Sequence, residues 1–441
     1  MPGPTTFFAN QKRRKVAFVI FLTAAFLFRL WFGLCSQFQD SDVKQIYLLG
    51  LKYYTTGAWP YFGPDVVWGE IQIPGALQGL LVGGPFFLLP LPEAPYVLLN
   101  ALSFASLSLF AWYCCKRLPE LPKWLVWVWL FTAPWVLDLS TTIYNPSYLL
   151  TGSIFFFVGL FEVLPFTRRE ILPHTLAFGM MGFGLLWSMQ LHMSWILLIP
   201  YFLSAIYFQI RRRQSIWSNL ICFLVGAVVP GSLLIPTYLK YGLSEGSGGT
   251  ASTLMFNVDN LSAFPGILVR SLSFASFEVP RLLGPHTPQR IAFLREEIWL
   301  SPFVVFLFVV GTAQVIALVI FWFMRNKHND WKAIKYLTLV NICLTFISFL
   351  FSIKPPQSNH LYITLPIPMI YGMYCWSQIL AKRQWQLFAK VVLACGVIFH
   401  VGLALHNRSR ISLYPERQVI KAAIELRDYR LLGERRPNTR Y

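Results

Sequence analysis

The chain has 441 residues, of which 56% are hydrophobic and only 13% charged, with a formal net charge of +18. A soluble domain carries about 25% charged residues, and apolar runs long enough for a bilayer core of about 30 Å recur here along most of the length, so the chain is not a soluble protein. The basic excess points to cytoplasmic loops, where Lys and Arg of membrane proteins collect, and not to a nucleic-acid partner. The seven cysteines, Cys35, Cys114, Cys115, Cys222, Cys343, Cys375 and Cys395, lie in or at the ends of apolar runs. They show neither metal-ligand spacing nor a disulfide framework and read as small core residues.

In chain order, Lys12-Arg13-Arg14-Lys15 precede an apolar run from Val16 to Cys35. The run has no small-residue cleavage site, so it reads as an uncleaved anchor, and its basic flank puts the N-terminus in the cytoplasm. A loop over 37–72 then lies outside, with an amphipathic helix after Asp42. The next apolar stretch, 73–91, holds Pro74, Gly75, Gly79, Gly83, Gly84, Pro85 and Pro90. Counted as a crossing it would invert every later loop. Counted as a re-entrant or interfacial segment it leaves Lys116, Arg117, Lys123, Arg168, Arg169, Arg211, Arg212, Arg213, Arg325, Lys327, Lys382 and Arg383 on the cytoplasmic side. Broken backbone at membrane depth must be buried in protein or line a cavity, so 73–91 is expected to wall a cavity.

Ten further spans are expected, at 95–115, 122–140, 146–164, 171–190, 193–210, 216–239, 300–324, 333–353, 360–380 and 386–406. The fold class is therefore an all-α polytopic membrane bundle of about eleven crossings, with one transmembrane module over 1–406. A long outside loop occupies 240–299, rich in Gly and Ser at its start and helical in pattern later, and a basic tail follows over 407–441, outside in this count.

This topology gathers Asp42, Glu70, Asp138, Asn145, Gln190, His192, Lys354 and His360 near the outer face. Ionisable groups at membrane depth are costly and point to function. Each has an ordinary reading as well: Asp42 caps the helix that follows, Glu70 is a solvated loop acid, Asp138 and Asn145 flank a turn, and His192 and His360 are hydrogen-bonded packing. Their common side favours the functional reading.

The chain has no phosphate-binding glycine loop, zinc motif or nucleophile elbow. Two carboxylates in a loop closed against a membrane cavity suit general-base activation of a hydroxyl. No nucleotide sugar is expected outside the membrane, so an activated donor must arrive through the lipid, and a polyprenyl-phosphate sugar does so. Lys354, or Arg270, Arg281, Arg290 and Arg295 of the long outside loop, could hold the phosphate leaving group.

Several short motifs, in order, resemble the GT-C superfamily of membrane glycosyltransferases, in the family-39-like branch of protein O-mannosyltransferases and lipid A aminoarabinose transferases. They are Asp42 with Gly57 and Trp59 after it; Gly63-Pro64, Glu70 and Pro74-Gly75; Tyr144-Asn145-Pro146; Gln190-Leu191-His192-Met193-Ser194; and His360-Leu361-Tyr362 before Leu365-Pro366. The resemblance spans roughly 16–405. The chain departs from the pattern in having Val43 after Asp42, with Asp40 two residues before it, in its reversed Pro74-Gly75, and in Asn145 where other members have Asp.

The resemblance implies that Asp42 deprotonates an acceptor hydroxyl and that the sugar transfers with inversion from a polyprenyl-phosphate carrier. Glu70 is then a second acid that positions the acceptor or a cation, so a divalent cation is a candidate cofactor. Asp40, Asn145, His192, Lys354, His360 and Arg281 are donor-site candidates. The acceptor is a lipid, a glycan or a protein, and the setting a bacterial plasma membrane with the site facing outside. A transporter or lipid-linked-sugar flippase, and an inactive scaffold subunit of the same fold, are the rival readings. The absence of an internal repeat and the one-sided polar residues weigh against a transporter.

Overall fold

The computed structural model describes residues 4–37, 41–65, 72–164, 170–212, 216–242, 256–272, 279–284, 286–324, 330–352, 358–411 and 415–433. Helix α1 (Pro4–Cys35) leads to α2 (Ser41–Thr56) and to a two-stranded antiparallel hairpin, β1 (Phe62–Asp65) with β2 (Gln72–Pro74), in which Phe62 faces Pro74 and Asp65 faces Gln72. Helices α3 (Leu77–Leu88), α4 (Ala94–Arg117), α5 (Lys123–Thr132), α6 (Pro134–Thr141), α7 (Leu149–Val163), α8 (His174–Met189), α9 (Leu198–Arg211), α10 (Ile216–Gly231) and α11 (Ile235–Tyr241) follow. After them come α12 (Phe264–Leu272), α13 (Val279–Leu282), α14 (Thr287–Glu296), α15 (Ser301–Phe323), α16 (Trp331–Leu350), α17 (Pro366–Ile379), α18 (Arg383–Ile411) and α19 (Pro415–Glu425).

Among the described residues, seven stretches are helical, long and apolar enough to cross a membrane: 15–35, 94–117, 193–211, 216–241, 298–323, 331–350 and 383–409. Together with exposed apolar residues along them, such as Val225, Val228 and Val229 on α10 and Val309 and Ile316 on α15, they make this an integral membrane protein. The other expected crossings are shorter. The run 122–140 breaks at Pro134 into α5 and α6, and α7, α8 and α17 have 15, 16 and 14 residues. Proline lacks the N–H that would continue the helix through residue 134. Helix α7 can be short because protein surrounds it: all its residues but Phe155 are buried.

The expectation that 73–91 is not a full crossing agrees with the geometry. Helix α3 has 12 residues, about 18 Å of rise, too short for a hydrocarbon core of about 30 Å. It lies against α2, where a Cβ on Gly83 would sit 2.4 Å from the Gly50 carbonyl oxygen, so the two backbones touch. The all-α expectation needs one amendment, the β1–β2 hairpin, and the expected span 386–406 extends over 383–411 as α18. The tail beyond it is not simply a basic extension, because α19 and a 3-10 turn over Tyr429–Leu432 pack on α2.

The helix packing rests on close backbone contact. A Cβ on Gly182 or Gly226 of the α8–α10 pair would lie 2.0 Å from the Phe223 carbonyl oxygen or 1.9 Å from that of Gly179, respectively. On the other side of α8, Gly152 and Gly184 bring α7 equally near. Lipid tails give helices no hydrophobic reason to associate, so small residues that admit van der Waals contact decide which pairs form.

Two buried charged groups link the helices. At one end, Arg117 of α4 meets Glu162 of α7 at 2.6 Å, and the second oxygen of Glu162 accepts the N–H groups of Ile171 and Leu172 ahead of α8, at 2.8 and 3.1 Å. Within the bundle, Arg29 of α1 is fully buried. Its Nη1 donates to the Phe131 carbonyl at 3.1 Å, and its Nη2 to Ser103 at 3.1 Å and Ser140 at 2.6 Å. One guanidinium thus ties α1 to α4, α5 and α6, replacing the water it has lost.

Replacing Gly226 by Leu forces α8 and α10 apart. We expect this variant to lower the thermal unfolding midpoint in detergent, consistent with an overpacking cost of about 1–3 kcal/mol or more, with little effect from Gly266→Leu, at an exposed position where open space awaits a Cβ. Equal midpoints for the two variants would contradict this packing.

Candidate active site

The end of the bundle opposite the Arg117–Glu162 pair carries α2, the hairpin, the C-terminus of α8 and the loop before α7. Helix α2 is amphipathic: Val43, Ile46, Tyr47, Leu51 and Tyr54 are buried, at the spacing of one helix face. Asp42 stands in its first turn and is exposed. An acid in a first turn also complements the helix dipole, so a capping role and an exposed reactive carboxylate are compatible here.

The hairpin is seated on α8. The buried amide of Gln190, just past the end of α8, donates to the Pro230 carbonyl at 2.6 Å and the Leu186 carbonyl at 3.2 Å. Gly75 comes down on the same side chain: its φ is +116°, and a Cβ there would lie 2.5 Å from Gln190 Oε1. Only glycine meets both conditions without strain. From the other side Thr237 of α11 donates to the Tyr61 carbonyl at 2.6 Å, the Lys240 ammonium lies 4.3 Å from the centre of the Tyr61 ring, and Tyr241 packs on Phe62 at 4.9 Å.

His192 is half-buried and begins a 3-10 turn over Met193–Leu197, where its Nδ1 accepts the Ser194 N–H at 3.1 Å and lies 2.8 Å from the Ser194 hydroxyl. An Nδ1 that accepts leaves the ring proton on Nε2. That turn packs against the 3-10 turn Ser358–Thr364, which contains His360 and is fastened to α7 by the Ser153 hydroxyl on the Ile363 carbonyl, 2.6 Å. Tyr362 of the same turn is buried beside Ser140 and Arg29, and burial raises its phenol well above the ordinary range.

Asn145 sits in the loop between α6 and α7, half-buried, with its Oδ1 buried and unpartnered. Tyrosines tie both this loop and α2 to the segment around Pro92 and Pro95 at the start of α4. Tyr148 donates to the Pro95 carbonyl at 3.2 Å and Tyr47 of α2 to the Pro92 carbonyl at 2.8 Å. Burial pushes the Tyr47 phenol well above its usual range, with Tyr96, Tyr148 and Glu93 adding to it, so it remains a neutral donor. Asp138, one turn before the end of α6, is half-buried and lies within electrostatic reach of Tyr362.

Of the expected site residues, Asp42, Asn145 and His192 are therefore at one end of the bundle, on elements linked by direct contacts. His360 shares that end by its backbone, while its side chain lies outside the described residues. Asp40, Glu70 and Lys354 also lie outside them. Arg281 is exposed on α13, which packs on α15 beside a second apolar cluster built from Phe32, Cys35, Phe293, Leu300 and Phe399. Among the described residues no three His, Cys, Asp or Glu side chains gather as a metal-binding set. Sequence reasoning passed over Arg29, although a single basic residue inside an apolar run is a signal in itself, and it passed over the partnership of Glu93 with Arg417.

No protein-family model matches the chain and no curated protein matches its sequence. Solved structures do. ArnT from Cupriavidus metallidurans bound to undecaprenyl phosphate aligns over 95% of this chain and 77% of its own, with a TM-score of 0.50 at 12% identity. The apo form of the same protein aligns over the same shares with a TM-score of 0.51 at 11% identity. The chain has the GT-C fold. At this identity the likeness is one of architecture. Within the GT-C fold of this chain, the end opposite the Arg117–Glu162 pair carries the first loop and the polar residues described above.

The seat of the hairpin can be tested directly. Gly75→Ala strains a positive φ, at a cost of about 1–3 kcal/mol, and collides with Gln190. We expect faster amide hydrogen exchange across residues 60–76, partly restored in Gly75→Ala/Gln190→Ala. Unchanged protection in the single variant would contradict the contact.

Proposed function

We propose that the protein is a glycosyltransferase that moves a sugar from a polyprenyl-phosphate donor to an acceptor hydroxyl at the outer face of a bacterial plasma membrane. The observation that carries this reading is the docking of α2, with the Asp42 carboxylate exposed in its first turn, on the end of a bundle with the GT-C fold. That a protein of this fold is bound to undecaprenyl phosphate supports a polyprenyl lipid as donor carrier here.

In the proposed reaction the acceptor hydroxyl gives its proton to the Asp42 carboxylate as its oxygen attacks the anomeric carbon. The bond from that carbon to the phosphate oxygen breaks, the electron pair leaves with the polyprenyl phosphate, and the sugar inverts. Glu70 positions the acceptor. Asn145, with an amide oxygen that lacks a partner, and His192, with its ring proton on Nε2, are suited to accept from and donate to a sugar. Asp40 and His360 complete the donor side, and Lys354 and Arg281 are the cations for the phosphate, because an unpaired anion at a low-dielectric surface is expensive. A divalent cation, if bound by the acids of the first loop, would add charge for the same phosphate.

Asp42→Asn keeps the size of the side chain and loses the base. The expected result, with radiolabelled polyprenyl-phosphate sugars and an extract of membrane acceptors, is a fall in turnover of about 10²–10⁴-fold at unchanged expression. Near-normal turnover would remove Asp42 as the base and leave Asp40 as the next candidate.

A further inference from the structure

The C-terminal segment packs on α2 and on the turn that follows α3. Ile420, Ala423 and Ile424 of α19, with Leu432 after it, are buried in the same cluster as Val43, Ile46, Tyr47, Leu51 and Tyr54 of α2. The segment then touches α2 along its length. Near its start, Gly433, at φ +92°, lies on Lys44: a Cβ there would be 3.1 Å from the Lys44 Nζ. Lys44 is two residues from Asp42. At the end of α2 the Arg427 guanidinium stands 5.6 Å from the centre of the Tyr54 ring.

Between these points the contact runs through Glu93. Arg417 reaches Glu93 Oε1 with two of its nitrogens, Nε at 2.7 Å and Nη2 in ion-pair contact, and both side chains are partly buried. Glu93 follows Pro92, whose carbonyl accepts the Tyr47 hydroxyl of α2. The chain Arg417–Glu93–Pro92–Tyr47 therefore joins the C-terminal segment to the middle of α2 through the turn that follows α3. Both guanidinium nitrogens converge on one carboxylate oxygen, a charge-assisted contact that holds the two segments together. An ion pair this close to the surface adds little to global stability, so its geometric role outweighs its energetic one.

We propose that residues 415–433 are a positioning clamp for α2, with Arg417 and Glu93 as its positioning residues, setting the axial and rotational place of the helix that begins at Asp42. The consequence for turnover rests on the glycosyltransfer reading above; the consequence for α2 does not. An interfacial helix held only by α3 could slide along the Gly50–Gly83 contact, and a displacement of about 1 Å in a reacting group can cost about 10²-fold in rate.

The test uses full-length protein in detergent or nanodiscs: Arg417→Glu, Glu93→Arg, the double charge exchange, and Lys421→Gln as control, since Lys421 pairs with Glu425 on the exposed face of α19. Amide hydrogen exchange of residues 41–47 needs no substrate. It should rise in each single variant, return in the double variant and stay at the wild-type level in Lys421→Gln. With a polyprenyl-phosphate sugar as donor, each single variant should lose about tenfold or more in kcat with the donor KM within about twofold, as expected for a misplaced base, and the double variant should recover most of it. Unchanged exchange over 41–47 in the single variants overturns the clamp. So does a fall in activity that only tracks the loss of folded protein and is not rescued by the exchange of charges. Wild-type protein that transfers no sugar overturns the glycosyltransfer reading instead, and the exchange result then decides the clamp by itself.

Discussion

The contact between Gly75 and the Gln190 side chain seats the first loop on the polar end of the bundle, opposite the Arg117–Glu162 pair. Gln190 is buried where α8 ends, and its amide is already committed to the carbonyls of Leu186 and Pro230, so it presents a fixed surface. The first loop approaches that surface closely because residue 75 has no side chain and takes a positive φ. With β2 fixed there, β1 is fixed by its ladder, and α3 follows directly after the turn. Helix α2 in turn is held to α3 through Gly50 and Gly83. The backbone contacts that run from the end of a buried helix thus bring α2 to this end of the bundle, and the C-terminal segment, which also packs on α2, is proposed to set its register there.

The two ends of the bundle manage their polar groups differently. The Arg117–Glu162 pair has each accepting oxygen engaged, by a guanidinium on one side and two backbone N–H groups on the other, the arrangement a structural ion pair requires. The opposite end holds groups whose partners are incomplete: the Asn145 amide oxygen and the Gln190 Oε1 are both buried without one. Buried polar atoms left unpaired are rare in proteins and call for an explanation. A polar ligand that binds at this end would supply one for Asn145. Arg29, deeper in the bundle and bound only to a carbonyl and two hydroxyls, leaves its positive charge uncompensated by any of these partners and close to the same end.

Much of this was legible in the sequence. The seven long spans follow from apolar runs, and the short α3 from the density of glycine and proline over 73–91 together with the basic loops that a full crossing would have inverted. The gathering of Asp42, Asn145 and His192 at one end followed from counting basic loops. The hairpin was not legible. Phe62–Asp65 and Gln72–Pro74 are short, contain Pro64 and Pro74, and show no alternation, so their pairing depends on the Gln190 seat, which is remote in sequence. The break between α5 and α6 was visible in Pro134 but hidden by the apolar run on both sides of it. The docking of the tail on α2 was masked by its charge: Ile420, Ala423 and Ile424 have helical spacing, but the arginines around them read as a solvated extension.

The central claim is that the polar end of the bundle receives the phosphate of a polyprenyl lipid. Photo-crosslinking with a diazirine-bearing polyprenyl phosphate, followed by peptide mapping, tests it without knowledge of the sugar or the acceptor. The account predicts labelling within residues 41–91, 138–148, 190–199 and 358–365 that excess undecaprenyl phosphate abolishes. Labelling confined to the lipid-facing surfaces of α10 and α15, or labelling that competitor does not reduce, would contradict it.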